Sequence, residues 1–299
     1  MSMSIYSQIS SNRWKTYFIM ALFMGFITTL AYIFGQASGY GVSYVGIALI
    51  ISGLMTIGSY YFSDQIVLSM SGAQPADPKR DFDFFTVAEN LSIASGIPKP
   101  RLYVIEDSAP NAFATGRDPE HAVVCATTGI LGKLNRSELE GVIAHELSHV
   151  KNYDTRLMGI VAVLVGTVAF LADMFMRSMW WGGRRDNDRD RSNSLFMILG
   201  IILALISPLI ATLIQLSISR KREYLADASG VLMTRNPGAL ANALAKISGD
   251  KEVLEAATNA TAHLFIVNPF KGKNFGAWFS SLFDTHPPIA DRIKILKSM

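Results

Sequence analysis

Four blocks of the chain carry no charge: residues 17–35, 44–62, 157–172 and 195–219. About 20 helical residues cross a hydrocarbon core of roughly 30 Å, at ~1.5 Å of rise each. The first, second and fourth blocks meet that length, and the third does so only if it runs on through Asp173 to Met176. Arg13 and Lys15 precede the first block as they would in a secretory signal, but its apolar run exceeds the ~7–15 residues of a signal core. A second apolar block follows after the short uncharged loop 36–43. The pattern predicts two membrane hairpins.

The remaining segments, 63–156 and 220–299, mix polar and apolar positions. Residues 81–95 read as an amphipathic helix that turns Phe85, Ala88, Leu91 and Ile93 to a core and stops at Gly96. The run 102–105 is apolar and β-prone, as a buried strand is. Residues 111–115 and 122–127 predict two more strands, joined by a charged turn at Gly116–Pro119. Ser137 stands where an N-cap belongs, with Glu140 three residues on as its capping-box partner. Residues 237–257 and 289–297 read as helices. The expected fold is mainly α with a small β-sheet and four hydrophobic helices. It divides into a tail and first hairpin (1–62), a first water-facing part (63–156), a second hairpin (157–219) and a second water-facing part (220–299).

Composition agrees. Half of the 299 residues are hydrophobic and 17% are charged, against about 25% charged in soluble domains. A net charge of +3 gives no case for nucleic acid. The single cysteine, Cys125, excludes an intrachain disulfide framework and a multi-thiolate metal site. Arg13, Lys15, Lys79 and Arg80 flank the first hairpin, while the loop within it has neither lysine nor arginine. The amino terminus and residues 63 onward are therefore expected in the cytoplasm. Arg177, Arg184, Arg185, Arg189 and Arg191, between the third and fourth blocks, oppose export, so the second hairpin either spans or only dips into the membrane.

The chemistry centres on His145-Glu-Leu-Ser-His149 within a predicted helix. Two imidazoles four residues apart share a helix face and can reach one metal ion. Neutral imidazole suits zinc, and a catalytic zinc keeps one position open for water. Glu146 is placed to take that water's proton. No third histidine follows at the spacing of three-histidine proteases. The best third ligand is in Arg222-Glu-Tyr-Leu-Ala-Asp227, where a helix puts Glu223 and Asp227 on one face. Glu223 could bind the ion, and Asp227 could fix the tautomer of a ligand histidine. Since His145 and Glu223 must meet, the segment between them must leave and return on the same side.

His145–His149, Glu223-Tyr-Leu-Ala-Asp227 and Thr285-His-Pro-Pro288 with Arg292 resemble, in order, the motifs of the HtpX heat-shock membrane metalloproteases, relatives of the CAAX prenyl endopeptidases. Met70-Ser-Gly-Ala73 and Asn111-Ala-Phe-Ala-Thr-Gly116 extend the resemblance. It implies a gluzincin fold and an integral protein of the bacterial inner membrane with one zinc ion facing the cytoplasm. The implied task is quality control of damaged or misfolded membrane proteins under stress. It assigns zinc to His145, His149 and Glu223, the base to Glu146, and an active-site position to His286 and Arg292. His286 would either cap the zinc or, with Arg292, stabilise the transition state. Residues 111–115, with Asn111, Ala112 and Phe113, would pair with an extended polypeptide substrate. Competing readings are a prenyl-peptide protease, whose relatives need more membrane segments than four, and a silent zinc scaffold, which leaves Glu146 without a purpose. A metal transporter would carry its ligands inside the membrane segments.

Overall fold

The computed structural model describes residues 5–37, 43–181, 220–258, 260–267, 269 and 286–299. Two long helices, α1 (Ile5–Ala37) and α2 (Ser43–Met70), lie side by side. After them come β1 (Gln74–Pro75), α3 (Phe82–Ser95), β2 (Arg101–Ile105), β3 (Ala112–Thr115), β4 (Val123–Thr127), the short α4 (Thr128–Lys133), α5 (Arg136–Lys151) and α6 (Asp154–Trp181). The chain continues with α7 (Arg220–Thr234), α8 (Pro237–Gly249) and α9 (Ile289–Leu296). The sheet order is β1-β2-β4-β3, with β2 and β4 parallel and both edge strands antiparallel to their neighbours.

Helix α5 is the hub. Its Val142, Ile143, Leu147 and Val150 share one core with Phe84, Val87 and Leu91 of α3 and with Leu240, Leu244 and Ile247 of α8. It starts two residues earlier than the sequence reading placed it. Asn135, not Ser137, is the N-cap: its side chain accepts from the Glu138 backbone N–H, and Glu138 returns a bond to the Asn135 N–H. Asparagine caps as well as serine, and Glu138 gains a further partner in Lys246 of α8 at 2.7 Å. Glu140 faces Arg136 instead.

Two further expectations need correction. Helix α3 buries Phe84 and Val87 beside Ala88 and Leu91, while Ile93 is exposed. The helical period fits Phe84, Val87, Ala88 and Leu91 better than the set that included Ile93. Helix α8 ends at Gly249, where Asp250 turns extended, short of the expected residue 257.

Helices α1, α2 and α6 overlie the first three apolar blocks, and the fourth lies outside the described residues. Among the described residues no helix is long and apolar enough to cross a membrane. Helix α2 nonetheless has its polarity reversed. Ser52, Thr56, Ser59 and Ser63 are buried, and Thr56 and Ser59 bond back to their own helix. Ile50, Leu54, Ile57 and Tyr61 are exposed. On α1, Asn12 and Thr16 are buried while Trp14 and Phe18 are exposed.

Helix α7 approaches α5 closely at Gly230. A Cβ at Gly230 would stand 3.1 Å from the His145 nitrogen and 3.3 Å from the Ala144 carbonyl carbon, both backbone atoms that cannot swing aside. Gly230→Val should therefore destabilise by ~1–3 kcal/mol, as overpacking does. Gly132→Ala, where a Cβ meets nothing within 4 Å, should stay within ~0.5 kcal/mol. Denaturant unfolding in detergent measures both. Equal midpoints would remove the packing argument.

Candidate metal centre

The α5 turn from His145 to His149 stacks the two imidazoles edge to face, with centroids 4.8 Å apart. Their Nε2 atoms point at each other across 3.2 Å. From α7, Glu223 brings Oε2 to 3.6 Å from His145 Nε2 and Oε1 to 3.5 Å from His149 Nε2. One donor atom from each of the three residues lies within 4.8 Å of the others, and all three side chains are buried.

This donor set fits a metal ion. Two ring nitrogens face one another where a cation would satisfy both. Glu223 Oε2 is 2.9 Å from His286 Nδ1, an ion-pair distance, and neither atom has a hydrogen-bond partner. Buried polar atoms without a hydrogen bond, here Glu223 Oε2 and both ring nitrogens of His286, fit a site that takes up a cation. Two imidazole nitrogens and one carboxylate oxygen are a ligand set of catalytic zinc, and there is no sulfur among them.

Each histidine is fixed from behind. Asp227, one turn after Glu223, lies 2.9 Å from His145 Nδ1. Asp154 Oδ2 lies 3.0 Å from His149 Nδ1. Carboxylates that accept the Nδ1 protons leave both Nε2 atoms free to ligate a metal. Asp154 reaches its position through a break in the helix. Tyr153 takes a left-handed φ of 59°, which ends α5 and starts α6, and Arg156 stacks on the Tyr153 ring at 4.8 Å. The sequence reading missed Asp154. The available signal was an acidic residue five positions after the second histidine, three before an apolar block.

Arg292 of α9 is fully buried and grips Asp227 with two parallel bonds, Nε to Oδ2 at 2.9 Å and Nη2 to Oδ1 at 2.7 Å. Its Nη1, 3.5 Å from Glu223 Oε2, is the nitrogen without a hydrogen bond. The electrostatics follow. Burial pushes the Asp227 carboxyl up, but the bonds from His145 and Arg292 outweigh it and hold the pKa at about 2. Burial pushes His145 down, yet Asp227 and Glu223 raise it to about 9. Glu223 is held well below the usual carboxylate range: burial opposes this, and the neighbouring imidazoles of His286 and His145 win. Glu146 goes the other way, because its burial outweighs the pull of His145 and His149.

Ala112 and Phe113 of β3, and Asn111 just before it, lie at the edge of the sheet away from β2, and all three are buried. Asn111 bonds toward β4 through Thr127, so by strand alternation Ala112 and Ala114 turn their backbone groups outward. The Ala112 carbonyl already accepts from Ile266 N–H at 3.0 Å, and the Asn111 amide bonds Val267 O at 2.9 Å. Phe113 packs edge to face on Phe265. His263 lies apart from the donor set. Burial holds its pKa at about 4, and its Nε2 bonds the Met158 carbonyl.

The profile of peptidase family M48 matches residues 78–299. A curated protein named "Protease HtpX homolog" from Caldanaerobacter subterraneus subsp. tengcongensis is 43% identical over 99% of this chain and 98% of its own length. Another of that name from Ligilactobacillus salivarius is 44% identical over 99% of this chain and 100% of its own. The crystal structure of S. mikatae Ste24p superposes with a TM-score of 0.51 at 17% identity, covering 95% of this chain and 66% of that one, which is a likeness of fold. With its buried two-histidine, one-glutamate centre, the chain belongs to peptidase family M48, with the HtpX proteases, and is a metalloprotease.

Proposed function

We propose that the chain is a zinc endopeptidase anchored in the bacterial inner membrane, which cleaves damaged or misfolded membrane proteins on the cytoplasmic side. The observation that carries the catalytic part is the convergence of His145, His149 and Glu223 on one point, with Glu146 in the same helical turn. Zinc bound there would act as a Lewis acid on the scissile carbonyl and make a water molecule acidic near neutral pH. Glu146, with its affinity for protons raised by burial, takes the proton from the attacking water and returns it to the leaving nitrogen. Asp227 and Asp154 hold the two imidazoles in the tautomer that presents Nε2. Arg292 keeps Asp227 charged, and its Nη1 points toward Glu223. His286, against Glu223, is placed either to cap the ion or to donate to the developing oxyanion.

An extended substrate pairs with the outward edge of β3. It finds Ala114 first and reaches the Ala112 carbonyl by displacing Ile266.

The reversed polarity of α2 supports the membrane part. Small hydroxyl residues toward neighbouring helices and branched aliphatics outward are what lipid selects. The two ends of segment 157–219 also come together: Arg222 Nη1 lies 3.0 Å from Asp154 Oδ1. An even number of crossings suits that closure.

Glu146→Gln keeps the shape of the side chain and removes its basicity. Zinc content and unfolding midpoint should stay as in the wild type, while casein hydrolysis falls ~100- to 10,000-fold. Near-normal turnover by the variant defeats the mechanism. Once Cys125 is replaced, single cysteines at Ser38 and Lys79 should react with impermeant reagents from opposite faces of the membrane. Labelling of both from one face contradicts the first hairpin.

A further inference from the structure

Helix α1 does more than lie beside α2. Four of its residues, Asn12, Thr16, Ile19 and Phe23, are buried at spacings of four, three and four. Ile19 and Phe23 pack on Leu157, Ile160, Val161 and Leu164 of α6. Asn12, at the other end of this stripe, meets the metal centre. Its Nδ2 donates to Asp154 Oδ1 at 2.7 Å and to the Asn152 carbonyl at 3.0 Å. Both partners are acceptors, so the amide can face them only with its nitrogen.

Asp154 thus divides its carboxylate. Oδ2 faces His149 Nδ1 at 3.0 Å, and Oδ1 takes Asn12 and Arg222. An aspartate χ2 has a broad preference, so partners on its oxygens decide how the carboxylate is turned. Arg222 holds Oδ1 from α7, and Asn12 holds it from α1. The family profile begins at residue 78, so Asn12 lies outside the region it describes.

We infer that Asn12 is a positioning residue of the metal centre: it fixes Asp154, through Asp154 it fixes His149, and so the first helix sets the affinity of the site for zinc. This rests on the zinc reading above. The plainer alternative is that Asn12 only docks α1 onto the end of α5.

A double-mutant cycle separates the two. Zinc affinity of the full chain in detergent is read by competition with a chromophoric chelator, for wild type, Asn12→Ala, Asp154→Ala and the double variant. Loss of outer-shell partners weakens metal binding ~10- to 100-fold. The expected result is a loss of about tenfold for Asn12→Ala, a larger one for Asp154→Ala, and a double variant no weaker than Asp154→Ala alone. Phe23→Ala loosens the same helix and should lower the unfolding midpoint with unchanged zinc affinity. If Asn12→Ala does not fold, Asn12→Leu, close in size and without the amide donors, carries the same expectation. A wild type that fails to bind zinc overturns the site itself. A wild type that binds zinc, with Asn12 variants that match it or add fully to Asp154→Ala, overturns the role of Asn12 alone.

Discussion

The rest of the structure depends on a set of charges that water does not reach. Asp227, Glu223, His145 and Arg292 are each at most 2% exposed. An ion at that depth costs several kcal/mol unless it is paired and its remaining polar atoms are satisfied. Arg292 satisfies Asp227 with a two-point grip, and Asp227 in turn holds His145. Glu223 is the member left short, with Oε2 near three cationic or imidazole groups and bonded well to none. The cluster is balanced only when another positive centre stands between Glu223 and the two Nε2 atoms. The same carboxylates favour the protonated imidazole: burial pushes His145 down, yet Asp227 and Glu223 raise its pKa to about 9.

The surrounding fold keeps that balance in place. Gly230 lets α7 come close enough to α5 for Glu223 and Asp227 to reach the histidines. The Asn135 cap and the Glu138–Lys246 pair fix where α5 begins, and with it the rotation of both imidazoles. The left-handed Tyr153 turns Asp154 back toward His149. Four separated parts of the sequence meet here: the first turns of α1, the α5–α6 junction, the first turns of α7, and α9.

The candidate donor set was legible because four-residue spacing on a helix is a strong local rule: it pairs His145 with His149, and Glu223 with the Asp227 that backs His145. The apolar core of α5 was legible for the same reason. The exact start of α5 was not, because Asn135 and Ser137 both satisfy capping rules and only the tertiary contact of Glu138 with Lys246 distinguishes them. Asp154 and Asn12 were not legible either. They are 142 residues apart, and no local pattern announces a hydrogen bond over that separation. The face of α3 was misjudged at Ile93, where an apolar residue sits at the surface. The two-residue β1 is too short to leave a periodic signal.

That zinc replaces protons at this buried cluster is most directly tested by calorimetric titration of the metal-free chain at pH 7, in buffers of different ionisation enthalpy. Metal ligation needs neutral imidazole. His145, with its pKa raised to about 9, must lose its proton on binding. Burial pushes His149 down, but Asp154 and Glu223 outweigh it and raise it as well. The account predicts release of at least one proton per zinc at pH 7. Below about pH 9 each released proton should make affinity climb by roughly a factor of ten per pH unit, and the climb should level off above that. Binding that releases no protons and ignores pH would contradict the placement of the ion between His145, His149 and Glu223.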